Sequence, residues 1–355
     1  MNDERRAFLY QLLQTPSPSG YEAPGQRIWV DYVEGYADEV RTDEYGNAVA
    51  VHEGDPDCDV EVALAGHGDE IGFIVRHIEE DGSVRIAPIG GSDSTVSKGQ
   101  HVTVHSADGP VNGVVGQTAI HIRPKDDDSV DDISEQHIDI GASDGDEAAD
   151  LVERGDPVTF TTEISELHND RVAARGMDNR IGIWAAAEGL RRASEAGADA
   201  TVYAVSTVQE ELGLQGARMV GYDLDPDAMV AADVTHATDA PGTPGKRKNG
   251  IELGEGPVIA RGSANHPALV QAFRATAEDE DIDVQLQAAG TRTGTDADAF
   301  FTSRGGTPSL NVGLPNRYMH TPVEVIDTAD LDRLGRLMGA FAVRADEAAP
   351  FAVDI

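Results

Sequence analysis

The sequence predicts an α/β protein, a mixed and largely parallel sheet sandwiched by helices, with an antiparallel β-barrel-like domain inserted into it. Three observations carry this reading. Short apolar runs alternate with amphipathic segments in the first and last parts of the chain, as expected of a layered sheet. Between about residues 73 and 166 the texture changes to short alternating segments parted by turn pairs such as Asp81-Gly82 and Asp108-Gly109. Histidines and carboxylates stand at the ends of the apolar runs, where open α/β sheets gather their ligands.

Taken in order, residues 3–14 carry Phe8, Leu9, Leu12 and Leu13 at helical spacing and should stop at Thr15-Pro16-Ser17-Pro18-Ser19-Gly20. A second helix is expected over 22–36, turning Ile28, Trp29, Tyr32 and Val33 inward. Strands follow over 39–51, broken near Gly46-Asn47, and over 60–65, leading to His67. The insert reads as strands at 73–78, 83–89, 101–105, 111–116, 137–140 and 157–162, with the acidic stretch 126–132 as a solvated loop. The α/β pattern resumes at Val172. Asp178 can cap a helix over 179–196 that buries Ile181, Trp184, Ala185 and Leu190 and ends at Gly197. Strands at 200–208, 228–232, 284–287 and 309–312 then alternate with helical segments at 216–221, 266–279, near 296–303 and 328–347. The expected organisation is a site-bearing α/β domain of residues 1–72 and 167–355, with the β-domain of 73–166 inserted between its halves.

Composition bounds the function. Hydrophobic residues make up 40 % of 355, enough for a proper core. No apolar run approaches the roughly 20 residues that span a bilayer, and Met1-Asn2-Asp3-Glu4-Arg5-Arg6 lacks the order of a signal peptide. With Cys58 as the one cysteine, no internal disulfide can form, and a cytoplasmic location is the simple expectation. The 64 acidic against 27 basic residues give a net charge of −37, a field that repels nucleic acids and anionic membranes. Acidic residues are spread along the chain instead of forming one tail. Adaptation to very high salt explains this, because at molar ionic strength the Debye length falls to about 3 Å and self-repulsion is screened.

Five residues at run ends can ligate metal: His67, Asp178, Glu211, Asp233 and His320. Two ions with about three protein ligands each need six positions. Five residues supply six if one carboxylate bridges, since a carboxylate has two oxygens and an imidazole one free nitrogen. Asp178 is the candidate bridge, with His67 and Asp233 on one ion and Glu211 and His320 on the other. Such a pair, roughly 3.5–4 Å apart, activates water and polarises a carbonyl. Glu210 diverges from Glu211 and suits a general base. Asp69 can accept the ring N–H of His67 and set its tautomer. His236, near Asp233, is a candidate for lining the site. Taken singly each has a bland reading: Asp178 as a plain N-cap, Asp233 as a turn residue, His320 as a surface histidine. Their joint position at strand ends favours the metal reading. Mixed imidazole and carboxylate ligands suit zinc first, with cobalt or manganese as alternatives.

The segments Gly66-His67-Gly68-Asp69-Glu70-Ile71-Gly72, Met177-Asp178-Asn179-Arg180, Gln209-Glu210-Glu211-Leu212-Gly213-Leu214-Gln215-Gly216-Ala217 and Arg317-Tyr318-Met319-His320-Thr321-Pro322-Val323-Glu324 resemble those of the tetrahedral (TET) aminopeptidases. That family of dinuclear metallopeptidases includes glutamyl aminopeptidases. Thr15-Pro16-Ser17-Pro18-Ser19-Gly20-Tyr21-Glu22, Ile138-Asp139-Ile140-Gly141-Ala142-Ser143 and Gly294-Thr295-Asp296-Ala297 match as well, and the likeness runs from about residue 5 to 345. The resemblance implies a zinc-peptidase-like fold, zinc or cobalt at the five ligand positions, Asp178 as bridge and Glu210 as base. It also implies a cis bond after Asp178, an inserted β-domain for oligomerisation, and dimers assembled into a homododecamer that trims peptides. Thr295 and Asp296 join His236 as substrate-binding candidates. The leading expectation is an intracellular metallo-aminopeptidase. A related two-metal hydrolase of N-acyl amino acids or C-terminal residues, and a non-enzymatic assembly protein, remain the alternatives.

Overall fold

The computed structural model describes residues 1–123 and 129–355. Helix α1 (Asp3–Gln14) is capped by Asn2, whose side chain accepts the Arg5 N–H at 2.9 Å. Helix α2 (Ala23–Val33) has Pro24 in its first turn, where no intrahelical N–H is needed. Strands β1 (Glu39–Thr42), β2 (Ala48–His52) and β3 (Glu61–His67) follow. The chain then enters a closed antiparallel barrel of β4 (Gly72–Ile78), β5 (Val84–Ile89), β6 (His101–Ser106), β7 (Gly109–Val115), β8 (His137–Asp139) and β9 (Pro157–Phe160). Short helices α3 (Ser94–Ser97) and α4 (Gly145–Ala149) interrupt it. Barrel strands alternate as half-buried strands must: Val84 and Ile86 point inward, as do Val102 and Val104, onto the edge-to-face pair Phe73–Phe160. Of the acidic stretch 126–132, residues 126–128 lie outside the described residues, while 129–132 run without regular structure and Asp131 pairs with Lys98.

Past the barrel come β10 (Ser165–Glu166), β11 (Arg171–Ala174), α5 (Met177–Ala196), β12 (Thr201–Thr207), α6 (Gln215–Asp223) and β13 (Ala228–His236). Then β14 (Val258–Arg261), α7 (Pro267–Asp279), β15 (Gln285–Ala288), α8 (Ala297–Phe300) and β16 (Ser309–Asn316) lead to β17 (Glu324–Asp327), α9 (Thr328–Val343) and α10 (Ala345–Ala348). The main sheet has eight strands in the order β1-β2-β12-β3-β13-β16-β14-β15. Its centre, β12-β3-β13-β16, is parallel, whereas β2 and β14 run antiparallel to their inner neighbours. This is the mixed, largely parallel sheet with an antiparallel barrel that the sequence predicts.

Helix α5 is buried on nearly every side between the sheet and α9, which explains its run of alanines and glycines. A Cβ on Gly66 would stand 2.4 Å from the Gly182 carbonyl carbon, so glycine on both elements lets helix and strand touch just before His67. Two local expectations change. Asp178 does not cap the helix: α5 starts at Met177 with Gly176 in the cap position, and Asp178 and Asn179 leave helical geometry across a cis peptide bond. Capping passes to Asn179, whose Oδ1 accepts the Gly182 N–H at 2.9 Å. Strand β13 also continues through Asp233 to His236, because its ladder with β16 pairs Asp233 with Gly313 and His236 with Asn316. The apolar run alone marked only its first half.

Candidate metal centre

The parallel strands end side by side, and that is what gathers the candidate residues. In the ladders Thr207 of β12 pairs with His67 of β3, so the turn bearing Glu210 and Glu211 leaves the sheet beside His67. Asp233 lies two strands from β12, across β3, and Asp178 enters from the start of α5. His320 arrives on the segment between β16 and β17. All line one cavity of about 350 Å³.

Asp178 stands at the centre. Its Oδ1 is 3.1 Å from His67 Nε2 and its Oδ2 is 3.4 Å from His320 Nε2. His67 Nε2 lies 3.9 Å from Asp233 Oδ1, and His320 Nε2 3.6 Å from Glu211 Oε1. Two groups of possible ligand atoms result, His67–Asp178–Asp233 and Asp178–Glu211–His320, each with its atoms within 4.8 Å of one another and with Asp178 in both. Glu210 belongs to neither group, yet its Oε2 is 3.8 Å from His67 Nε2.

The rings are oriented for this. His320 Nδ1 lies 3.1 Å from the Gly91 carbonyl, which can only accept, so Nδ1 carries the hydrogen and a neutral ring offers Nε2. Gly91 belongs to the barrel, and a Cβ there would fall 2.6 Å from the ring, so Gly90-Gly91 is a contact to the site and more than a turn. His67 Nδ1 faces Asp69 Oδ1 at 3.2 Å, off the line of a good hydrogen bond. Asp69 also accepts from Ser19 Oγ at 2.6 Å and from the backbone N–H groups of Glu210 and Glu211. Glu324 ties the two ends of the site together, accepting the N–H of Asp178 at 3.1 Å and of His320 at 2.9 Å.

Electrostatics test whether cations fit. Burial pushes the Glu210 carboxyl up to about 10, with His67 pulling against it and Asp233, Asp296 and Glu211 adding to it. Burial and the Asp178 charge push Glu211 up to about 7, and burial holds Asp233 well above the carboxylate range against the pull of His67. Burial works to raise Asp178 too, but His320 and His67 hold it well below that range. The hydrogen bond to Asp178 outweighs burial and carries His320 up to about 9. In His67, burial disfavours the charge but Glu210, Asp178 and Asp69 override it. Without cations, then, the site holds protons on acids and imidazoles alike. Divalent ions would displace them, as ligation by carboxylate and neutral imidazole requires. The donor set fits.

Of the substrate candidates, His236 and Thr295 line the cavity, whereas Asp296 sits behind its wall, accepting from Thr207 Oγ1 at 2.5 Å. Sequence reasoning assigned no role to Glu324, Glu22 or Asn47, all buried near the site. The first two stand inside matched motifs, which was the available signal. Asn47 looked like nothing but a strand break.

Comparison with known proteins follows the same lines. Residues 46–337 match the M42 glutamyl aminopeptidase family. The lysyl aminopeptidase of Pyrococcus furiosus is 36 % identical over 337 residues, covering 94 % of this chain and 95 % of the relative. The TET aminopeptidase of the archaeon Thaumarchaeota archaeon SCGC AB-539-E09 superposes with a TM-score of 0.89 at 31 % identity, covering 97 % of this chain and 100 % of that one. The TET1 peptidase of Pyrococcus horikoshii, which can assemble into a tetrahedron or a large octahedral shell, gives 0.85 at 30 % identity over 95 % and 99 % of the two chains. A match over most of the chain, on a fold and a set of strand-end residues already described, makes this protein an aminopeptidase of the M42 glutamyl aminopeptidase family.

Proposed function

We propose that the protein removes amino-terminal residues from peptides using two divalent ions, with Glu210 as general base. His67, Asp178 and Asp233 would hold one ion; Asp178, Glu211 and His320 would hold the other. Zinc suits this donor set first, then cobalt or manganese. When bound, such ions acidify water and polarise a carbonyl. The observation that carries the reading is the pair of ligand groups sharing Asp178 inside one cavity.

The chain's own part is positioning and proton transfer. Glu210, buried and outside both ligand groups, accepts a proton from water at its carboxylate and returns it to the departing amine nitrogen. Asp69 holds the His67 ring and the backbone of the base-bearing turn at once. Glu324 holds Asp178 and His320 at their backbones.

The cavity also speaks to the residue removed. Every carboxylate lining it, Asp178, Glu210, Glu211 and Asp233, belongs to the metal end, and Arg292 is its one arginine or lysine among the described residues. With the acids neutralised by cations, the rest of the wall, including Thr235, Gln287, Arg292 and Thr293, carries no acidic side chain. That wall favours an acidic first residue, with His236 and Thr295 beside it, while a lysine would meet Arg292 like to like.

Assembly is supported by the horikoshii relative. We infer dimers built into a homododecamer, with the β-domain of residues 73–166 as the oligomerising module inserted between 1–72 and 167–355. The charge of −37 supports work in a molar-salt cytoplasm. The test is an aminoacyl-anilide beside its N-acetylated counterpart, in molar salt, before and after chelation. The expected result is cleavage of the free amine alone, lost on chelation and restored by metal. Preferential cleavage of the acetylated substrate would turn the reading toward an N-acyl hydrolase.

A further inference from the structure

The turn that follows β12 is held in an unusual way. Four consecutive backbone N–H groups are each taken by a buried side chain: Val208 by Asn47 Oδ1 at 3.0 Å, Gln209 by Glu22 Oε1 at 3.1 Å, Glu210 by Asp69 Oδ1 at 3.0 Å and Glu211 by Asp69 Oδ2 at 3.2 Å. These acceptors come from three separate stretches of the first seventy residues. Gln209 needs such support, for its φ of 54° lies in the left-handed region that disfavours a side chain. That conformation bends the chain between Thr207 at the sheet edge and Glu210.

We propose that Glu22 is a positioning residue that aims Glu210 by holding the Gln209 N–H. Glu22 is 4 % exposed, and among the described residues no cation pairs with it. It occupies the cap position of α2 but makes no cap there, its side chain instead accepting the N–H of Gly20 at 2.7 Å and of Gln209. A buried carboxylate without a cation is costly, and burial pushes this one up to about 7. What it gains in return is its hold on backbone N–H groups, and one of these, on Gln209, leads directly into the base. Asp69 spans the adjacent pair of N–H groups, Asn47 takes that of Val208, and the Val208 and Gln209 carbonyls accept from Gly216 and Gln215, so Glu22 supplies the side-chain tie on the one left-handed amide of the bend.

The inference rests on Glu210 being the base. Its test compares Glu22→Ala with Glu22→Gln, whose amide oxygen still accepts both N–H groups, in the full-length metal-loaded protein. Expected for Glu22→Ala is a kcat lower by about 10- to 100-fold, the scale of an ångström-level misplacement, with metal content and KM nearly unchanged. Glu22→Gln should restore kcat. In the metal-free protein, hydrogen exchange at the Gln209 amide should quicken in Glu22→Ala and not in Glu22→Gln. In a Glu210→Gln background, Glu22→Ala should cause no further loss of rate. Should Glu22→Ala not fold, Glu22→Asp, which withdraws the acceptor by a methylene, replaces it with the same expectations. An unchanged kcat, a loss that tracks metal content, or additive losses in the double variant would each overturn the proposal. Turnover retained in Glu210→Gln would instead remove the base reading beneath it.

Discussion

Replacing Glu210 by glutamine removes a proton acceptor and almost nothing else. The side chain is buried and joins neither ligand group, and its backbone is held by Asp69 through a bond that the substitution leaves intact. General acid–base catalysis of this kind contributes about 10²- to 10⁴-fold, which at about 1.4 kcal/mol per tenfold is roughly 3–5 kcal/mol of barrier. Glu210→Gln should therefore lose that factor in kcat while keeping its metal and its fold. Stability supplies a second reading with a definite sign. In the metal-free protein the Glu210 carboxyl is pushed from 4.5 up to about 10, so the folded state binds the proton more tightly than the unfolded one. Its contribution is complete below the unfolded value and is lost as pH rises through the folded one. Metal-free wild type should thus lose stability between about pH 5 and 10 relative to the variant, which has nothing there to titrate. The assays are aminoacyl-anilide kinetics, metal analysis and thermal melts across pH. Turnover within about tenfold of wild type, with metal retained, would refute the assignment of the base.

Three further predictions concern other parts of the molecule. Glu70 is buried between Arg175 and Arg180; burial opposes its charge, but the two guanidiniums hold it down to about 2. Its stabilisation is present above 4.5 and lost as pH falls toward 2, and Glu70→Gln, leaving two buried guanidiniums short of a partner, should cost about 3–5 kcal/mol in denaturant melts and flatten that acid limb. Metal uptake should release protons near pH 7, because in the metal-free protein His320, at about 9, is protonated and Glu211, at about 7, is about half so; calorimetry in buffers of different ionisation enthalpy reads this, and heats independent of buffer would contradict it. Arg292→Glu should shift the ratio of kcat/KM for glutamyl- over lysyl-anilide toward lysine by about tenfold or more, and an unmoved ratio would deny Arg292 its part in selection.

Much of the candidate site is legible in the sequence. His67 and Glu211 stand out because each follows an apolar strand, as Asp233 and His320 also do, and four such positions in one chain are hard to read as plain turns. Asp178 was placed correctly in space for a reason only half right: it does sit at the start of α5, but Asn179 does the capping. The ends of β13 and β16 were read short, since the ladder between them carries pairing through Asp233 irrespective of that residue's polarity. Strands β10, β11, β14 and β17 went unseen, being two to four residues each and too short for periodicity to mark.

The order of apolar runs, the change of texture at the barrel and the residue types of the candidate ligands are local properties, and periodicity and residue chemistry read them without help. Which oxygen of Asp178 faces which imidazole is not local. Neither is the use of Gly91 from the barrel to orient His320, nor the convergence of Asn47, Glu22 and Asp69 on four successive amides. A hydrogen bond depends on tenths of an ångström between groups that the chain brings together only by folding. Side-chain type declares what a residue can bind; tertiary packing alone decides what stands within its reach.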